Sequence, residues 1–267
     1  IRSPKNLELK KMLLLYKKRR ERRKQGLFII EGEREIINAL KSNYILERIF
    51  LEEGVEFKNV NIKNVINNTP TSVVVKKTFK KISIRSGGEK IIAIARIKSH
   101  ELNTLKLTRK SLVVVLEEPE KPGNIGALYR TAAAAKIDAI IISNPKTDFY
   151  NPNSIRSSLG DIFKIPTAIE SNENVVSFLK KREFNILTTF IKKDSVRYDK
   201  FDYQLPCALV IGSESKGLSN FWSKVANENL VIPMAKTSNS LNLSVSAGIL
   251  IYEAARKNNK LDKNTIV

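Results

Sequence analysis

The chain has 267 residues, 42% of them hydrophobic and 28% charged, which supplies a core for one large or two modest domains and argues against disorder. Lysine and arginine outnumber aspartate and glutamate by 47 to 27, a net charge of +20 that calls for a polyanionic partner. A single cysteine, Cys207, and a single histidine, His100, exclude a disulfide framework, a Cys/His zinc site and a histidine-centred triad.

No apolar run reaches the ~20 residues of a bilayer span, and the basic start lacks the apolar core of a signal peptide. A cytoplasmic protein without membrane or metal partners is expected. Charge is uneven: residues 1–100 hold 24 basic and 10 acidic side chains, and residues 101–267 hold 23 and 17.

In chain order, residues 7–16 read as a helix, followed by Lys17-Lys18-Arg19-Arg20-Glu21-Arg22-Arg23-Lys24, seven bases in eight positions. Such a run is either a solvated helix face or a phosphate contact, and the pI near 9.9 favours the second. A strand (27–30), a helix (33–42), a strand (45–51) and an apolar stretch (91–97) then form a small α/β unit. Polar residues make 99–109 the expected linker between an N-terminal domain (1–98) and a C-terminal one (110–267). There, buried-type strands at 112–116, 139–142, 185–190, 207–211 and 230–232 alternate with helices at 127–136, 174–182 and 244–257, the pattern of a parallel α/β sheet.

Three loops carry the chemistry. After the 112–116 strand, Glu117-Glu118-Pro119-Glu120-Lys121-Pro122-Gly123-Asn124-Ile125-Gly126 has turn residues, a helix-capping asparagine and then Arg130 in the following helix. By itself this reads equally as a capped helix with a surface arginine. Ile211-Gly212-Ser213-Glu214-Ser215-Lys216-Gly217 looks like a phosphate loop, yet it lacks the Walker Gly-Lys-Ser/Thr ending, and no strand precedes a Gly-x-Gly-x-x-Gly. Ile232 to Asn242 is a polar loop entering a helix whose Ser246, Ala247 and Gly248 allow close packing by another backbone.

Taken together, in this order and spacing, the three stretches resemble the sequence motifs of the SpoU (TrmH) family of RNA ribose 2′-O-methyltransferases, in the SPOUT superfamily. Arg22 to Gly32, with Gly26-Leu27-Phe28 and Glu31-Gly32, is similar to the start of that family's ribosomal-protein-like substrate-binding domain. Asn151-Pro152-Asn153-Ser154-Ile155-Arg156-Ser157-Ser158-Leu159-Gly160 is similar to its linking segment, with Asp161 a polar departure. The resemblance implies a C-terminal parallel-sheet domain with a deep trefoil knot, S-adenosyl-L-methionine held in that knot, and a homodimer. Periodicity alone would draw an unknotted doubly wound sheet.

The resemblance further implies cofactor contacts at Gly212, Ile232 and Leu241, with Thr189 beside them. It implies catalytic positions at Arg130, Asn124, Glu214 and Asn242, with Ser240 and Ser244 as further hydroxyl contacts. A guanidinium is a poor base near neutrality, so Arg130 is expected to neutralise developing alkoxide and grip a phosphate, while Asn124 and Asn242 position it or the ribose. Arg19, Arg20, Arg22, Arg23 and Arg156 are the expected RNA contacts, and His100 is expected to be structural. The implied activity is S-adenosylmethionine-dependent 2′-O-methylation of large-subunit ribosomal RNA. The sequence leaves open a transfer-RNA substrate, or a noncatalytic RNA-binding or ribosome-assembly protein on the same fold.

Overall fold

A computed structural model describes residues 1–84, 88–190, 194–237 and 240–261. They form two compact units, one of residues 1–99 with 148–164 and the other of residues 100–147 with 165–267. The segment 148–164 therefore groups with the N-terminal residues, although it lies inside the stretch expected to form the C-terminal domain.

The first unit contains α1 (Leu7–Lys17), α2 (Arg19–Gln25), β1 (Leu27–Glu31), α3 (Glu33–Lys41), β2 (Leu46–Glu52), α4 (Val60–Asn68), β3 (Thr71–Val74), α5 (Lys76–Ile82) and β4 (Ile91–Arg96). Its sheet has the order β1-β4-β2-β3, with only β2 and β3 parallel. The Asn6 side chain accepts from the amides of Glu8 and Leu9 to start α1, which buries Leu9, Met12 and Leu15 on one stripe. Gly26, at φ 65°, ends α2 in the left-handed conformation that glycine adopts without strain. Alternation divides the sheet's faces. Ile29, Phe50, Ile92 and Ile94 meet α1 and α5, while Phe28 points the other way into Tyr44, Tyr150 and Phe163. Those last two aromatic residues explain why 148–164 belongs here.

The basic run does not act as one surface. Arg22 is buried at 3% exposure: its Nε lies 2.6 Å from the Asp148 carboxylate, and its Nη1 donates to the carbonyls of Leu15 and Tyr16. This corrects the expectation of an RNA contact there, because a guanidinium consumed by an internal carboxylate and two helix-end carbonyls has no face left for a phosphate. Arg20, Arg23 and Arg156 are exposed, and Arg19 is half-buried.

The second unit contains β5 (Leu112–Glu117), α6 (Pro122–Ala134), β6 (Ala139–Ser143), β7 (Thr167–Glu170), α8 (Asn172–Lys181), β8 (Asn185–Thr188), β9 (Val196–Arg197), β10 (Cys207–Ile211), α9 (Asn220–Ser223), β11 (Glu228–Val231) and α10 (Leu243–Lys257); α7 (Pro152–Ser157) lies in the first unit's inserted segment. The sheet order is β7-β6-β5-β10-β8-β11-β9 with every pairing parallel. The wholly buried strands β5, β6 and β10 are the continuous apolar runs of the sequence. Residues 100–109 are not a free linker: Leu105 is buried in this unit's core, with Leu102 and Leu107 against it. His100 is structural, its carbonyl accepting from Ile169 and its Nδ1 lying 3.1 Å from the Thr167 carbonyl.

Among the described residues no helix is long and apolar enough to cross a membrane, and no group of three or more His, Cys, Asp or Glu is placed to hold a metal ion. The burial of the Arg22–Asp148 pair gives a direct expectation. Arg22→Ala should destabilise the protein by about 3 kcal/mol, since it strands a mostly buried carboxylate. Arg20→Ala should change stability by under about 0.5 kcal/mol. Urea denaturation followed by circular dichroism distinguishes the two.

Candidate active site

In a parallel sheet the loops leaving the carboxyl ends of neighbouring strands converge, and crevices form where strand order departs from chain order. Here β10 is inserted between β5 and β8, and β11 lies beyond β8. The segments following β8, β10 and β11 therefore surround one cavity of about 430 Å³, in the range of small-molecule sites. Thr189, Gly212, Ile232 and Leu241 all line it, with Met234 and Ser246 among the remaining wall residues. The lining mixes apolar side chains with hydroxyls and loop backbone, which suits a ligand carrying both a flat apolar ring and polar groups. Ser240 also lines this cavity, and Ser244 bonds Asn242.

The loop after β10 is held closed by its own backbone. Ser213 and Gly217 exchange amide–carbonyl bonds of 3.1 and 3.0 Å. A Cβ on Gly212 would overlap the Gly217 carbonyl group and the Leu218 nitrogen. Glycine is thus required at 212 for loop closure.

Three motif residues meet in one chain of hydrogen bonds. The Glu214 carboxylate accepts from Asn124 Nδ2 at 2.7 Å and from the backbone amides of Glu120 at 3.2 Å and Lys121 at 3.3 Å. Asn242 Nδ2 donates to Asn124 Oδ1 at 3.1 Å, and Asn242 Oδ1 accepts from the Ser244 amide to cap α10. Helix α6 starts at Pro122, earlier than expected, with Pro in its first turn and no side-chain cap on Lys121. Asn124 is therefore inside the first turn instead of capping it. The Glu214 carboxylate, aimed at amides just before and at the helix start, is favoured by the helix dipole.

A second carboxylate, which sequence reasoning did not single out, fixes the loop's far end. Glu117 is buried, and its oxygens accept from the Ser219 amide (2.7 Å), the Ser219 hydroxyl (2.6 Å) and Asn172 Nδ2 (2.7 Å). Its only sequence signal is an acid ending an otherwise apolar strand. On the outer side Ser215 Oγ donates to Glu120 at 2.7 Å, which, with Lys146, holds that carboxyl below its ordinary range. Burial pushes the Cys207 thiol up to about 12, leaving it no thiolate for chemistry.

Arg130 stands apart. It is exposed on α6, does not line the cavity, and among the described residues makes no hydrogen bond or ion pair. Asn242 bonds Asn124, and Asn124 bonds Glu214, so within one chain neither asparagine contacts this guanidinium. Six residues separate Arg130 from Asn124, about 9 Å along the axis and a third of a turn apart in direction. Helix α6 packs on α10, where Thr131 lies beside Gly248, though a Cβ at 248 would meet it at only ordinary van der Waals contact, 3.6 Å.

Residues 111–252 match the SpoU rRNA methylase family, and residues 6–93 match an MRM3-like substrate binding domain. The chain is 27% identical over 248 residues to a Streptomyces viridochromogenes protein named 23S rRNA (uridine(2479)-2'-O)-methyltransferase, covering 90% of this chain and 86% of that one. It is also 27% identical over 252 residues to the Bacillus subtilis (strain 168) 23S rRNA (guanosine(2553)-2'-O)-methyltransferase RlmP, covering 94% and 97%. The crystal structure of an AdoMet-bound rRNA methyltransferase from Sinorhizobium meliloti superposes with a TM-score of 0.87 at 26% identity, over 96% of this chain and 97% of that one.

Two glycines give opposite expectations. Gly212→Ala forces backbone apart and should abolish cofactor binding in calorimetry while lowering the melting temperature. Gly123→Ala, in α6 with nothing near its missing Cβ, should leave both unchanged or slightly improved.

Proposed function

The chain belongs to the SpoU rRNA methylase family, and we propose that it methylates a ribose 2′-hydroxyl of large-subunit ribosomal RNA in the cytoplasm with S-adenosyl-L-methionine as donor. The observation carrying this reading is the single cavity at the carboxyl ends of β8, β10 and β11, walled by Thr189, Gly212, Ile232 and Leu241. When bound, the cofactor supplies an electrophilic methyl group on a sulfonium. The cavity's size and mixed lining fit such a ligand, with Gly212 and Ile232 offering backbone, Leu241 an apolar wall, and Thr189 and Ser246 hydroxyls. Two curated relatives of equal identity act on a uridine and a guanosine, so the choice of nucleotide does not follow from kinship.

The reaction asks the protein to align two reactants and to stabilise an oxygen losing its proton. Glu214, Asn124 and Asn242 serve alignment, by fixing the three motif segments relative to one another. Arg130 serves charge: a permanently protonated guanidinium neutralises alkoxide character and grips an adjacent phosphate. The trefoil knot implied by the motifs belongs to the same reading, supported by the insertion of β10 between β5 and β8.

Arg130 reaches the reacting atoms through a homodimer. The support is that it lines no wall of its own cavity, and that α10, against which α6 packs, leaves Val245 and Tyr252 exposed at 50% and 43%. A second copy covering that face brings another chain's guanidinium to each cavity.

The test is complementation. Arg130→Ala protein should bind S-adenosylmethionine normally and transfer almost no methyl to ribosomal RNA; Gly212→Val protein should fail at binding. Unfolding and refolding the two together should restore activity, since each mixed dimer keeps one cavity and one opposing arginine. A mixture as inactive as its components contradicts the dimer assignment, and an active Arg130→Ala homodimer contradicts the role of Arg130.

A further inference from the structure

The inference concerns where RNA is gripped, and it rests on the methyltransferase reading for the identity of the polyanion. The strand alternation of the first unit assigns α1 and α5 to the same side of its sheet, both inserting apolar residues into one cluster with Ile29, Phe50 and Ile92. On α5, Thr78, Phe79 and Ile82 face inward, and Lys76, Lys77, Lys80 and Lys81 are exposed on the opposite arc. On α1, the arc opposite Leu9, Met12 and Leu15 carries Lys10, Lys11 and Lys17, with Lys18 at the helix end, all exposed. None of these eight lysine side chains has a hydrogen bond or ion pair among the described residues. The acid within α1, Glu8, is 2.9 Å from Arg48 and so already neutralised.

Two of the four lysines on α5, Lys76 and Lys77, sit against the logic of their own helix. Its first turn holds two lysines and no acid, where a helix favours negative charge. Lys76 with Lys80 and Lys77 with Lys81 are like charges at the i, i+4 spacing that repels. Other helices follow the rule: α3 has Glu33 and Glu35 in its first turn and Lys41 in its last, and α8 has Glu173 first and Lys180 and Lys181 last. Charge that opposes local stability, is unpaired and shares a face with four more lysines is matched by an external anion. On the sheet's other side the signs mix, as in the 2.8 Å Asp161–Lys164 pair.

We propose that the lysine face of α1 and α5 binds the phosphate backbone of structured RNA, independently of base sequence. Lysines act there as point charges, and α5 exposes neither aromatic nor amide side chains with which to read bases. The face takes in Lys17 and Lys18 from the start of the basic run but not the internal Arg22, and α5 lies in a segment where the sequence pattern alone marked no element.

The test uses the full-length chain and a fluorescent RNA hairpin in anisotropy titrations at several salt concentrations. Changing Lys76, Lys77, Lys80 and Lys81 together to Gln keeps helix propensity and relieves repulsion, so the variant should fold. A matched control changes Lys106, Lys110, Lys180 and Lys181, exposed residues at the amino ends of β5 and β8, away from the cavity. The α5 variant should bind the hairpin about 10-fold or more weakly, with a log–log salt slope shallower by about 3. Its affinity for S-adenosylmethionine should be unchanged, and the control's slope should move by less than about 1. An α5 variant that binds like wild type, or a control that loses as much, overturns the lysine face while leaving the methyltransferase reading in place. A wild-type protein that binds the hairpin with this slope dependence but transfers no methyl group overturns the reading and supports the face.

Discussion

The carboxylate of Glu214 is the tie on which the second unit's chemistry depends. It arises from one of the three motif segments, and it accepts from the Asn124 side chain and the Glu120 and Lys121 backbone amides of another. Through Asn124 it also reaches Asn242, whose own oxygen starts α10. Each donor is a group that would otherwise need water, so satisfying them in one place converts three separate strand ends into one wall. Glu117 does the same at the loop's other end, more deeply buried. Gly212, just before the first anchor, and Gly217, between the two, let the backbone close on itself.

The arrangement explains why the cavity lies where it does. Parallel strands send all their exits to the same edge of the sheet, and inserting β10 beside β5 brings a loop from late in the chain next to one from a hundred residues earlier. A ligand held there meets apolar side chains, hydroxyls and loop backbone, with Glu214 the one titratable side chain among the described lining residues. The chain correspondingly offers no buried histidine or activated thiol at the site. On the proposed reading, rate enhancement comes from alignment and from charge supplied by Arg130.

The sequence revealed the fully buried elements well and the charged ones poorly. The run at 112–116 and its counterparts at 139–142 and 207–211 read as parallel strands because a strand covered on both faces leaves no alternation to confuse with anything else. Short elements such as β3, α5 and α7 gave no comparable signal. The grouping of 148–164 with the first unit depends on Tyr150 and Phe163 finding Phe28, a contact between distant positions that no local pattern encodes. The basic run could be seen, yet nothing in it says that Arg22 alone turns inward to Asp148. At the site, four cavity residues and three tie residues were legible through motif resemblance. The early start of α6 was signalled by Pro122, whose fixed φ suits the first helical turn, but Asn124 drew attention as the cap instead.

On the proposed reading, the three motif loops form one mechanically coupled wall around the donor cavity. A double-mutant cycle on Asn124 and Glu214, read as S-adenosylmethionine affinity by calorimetry, measures that coupling directly. Asn124→Ala and Glu214→Ala should each weaken binding, and the double variant should lose less than the sum, with a coupling of about 1 kcal/mol or more. Losses that simply add, or single variants that bind the cofactor as tightly as the unaltered chain, would contradict it.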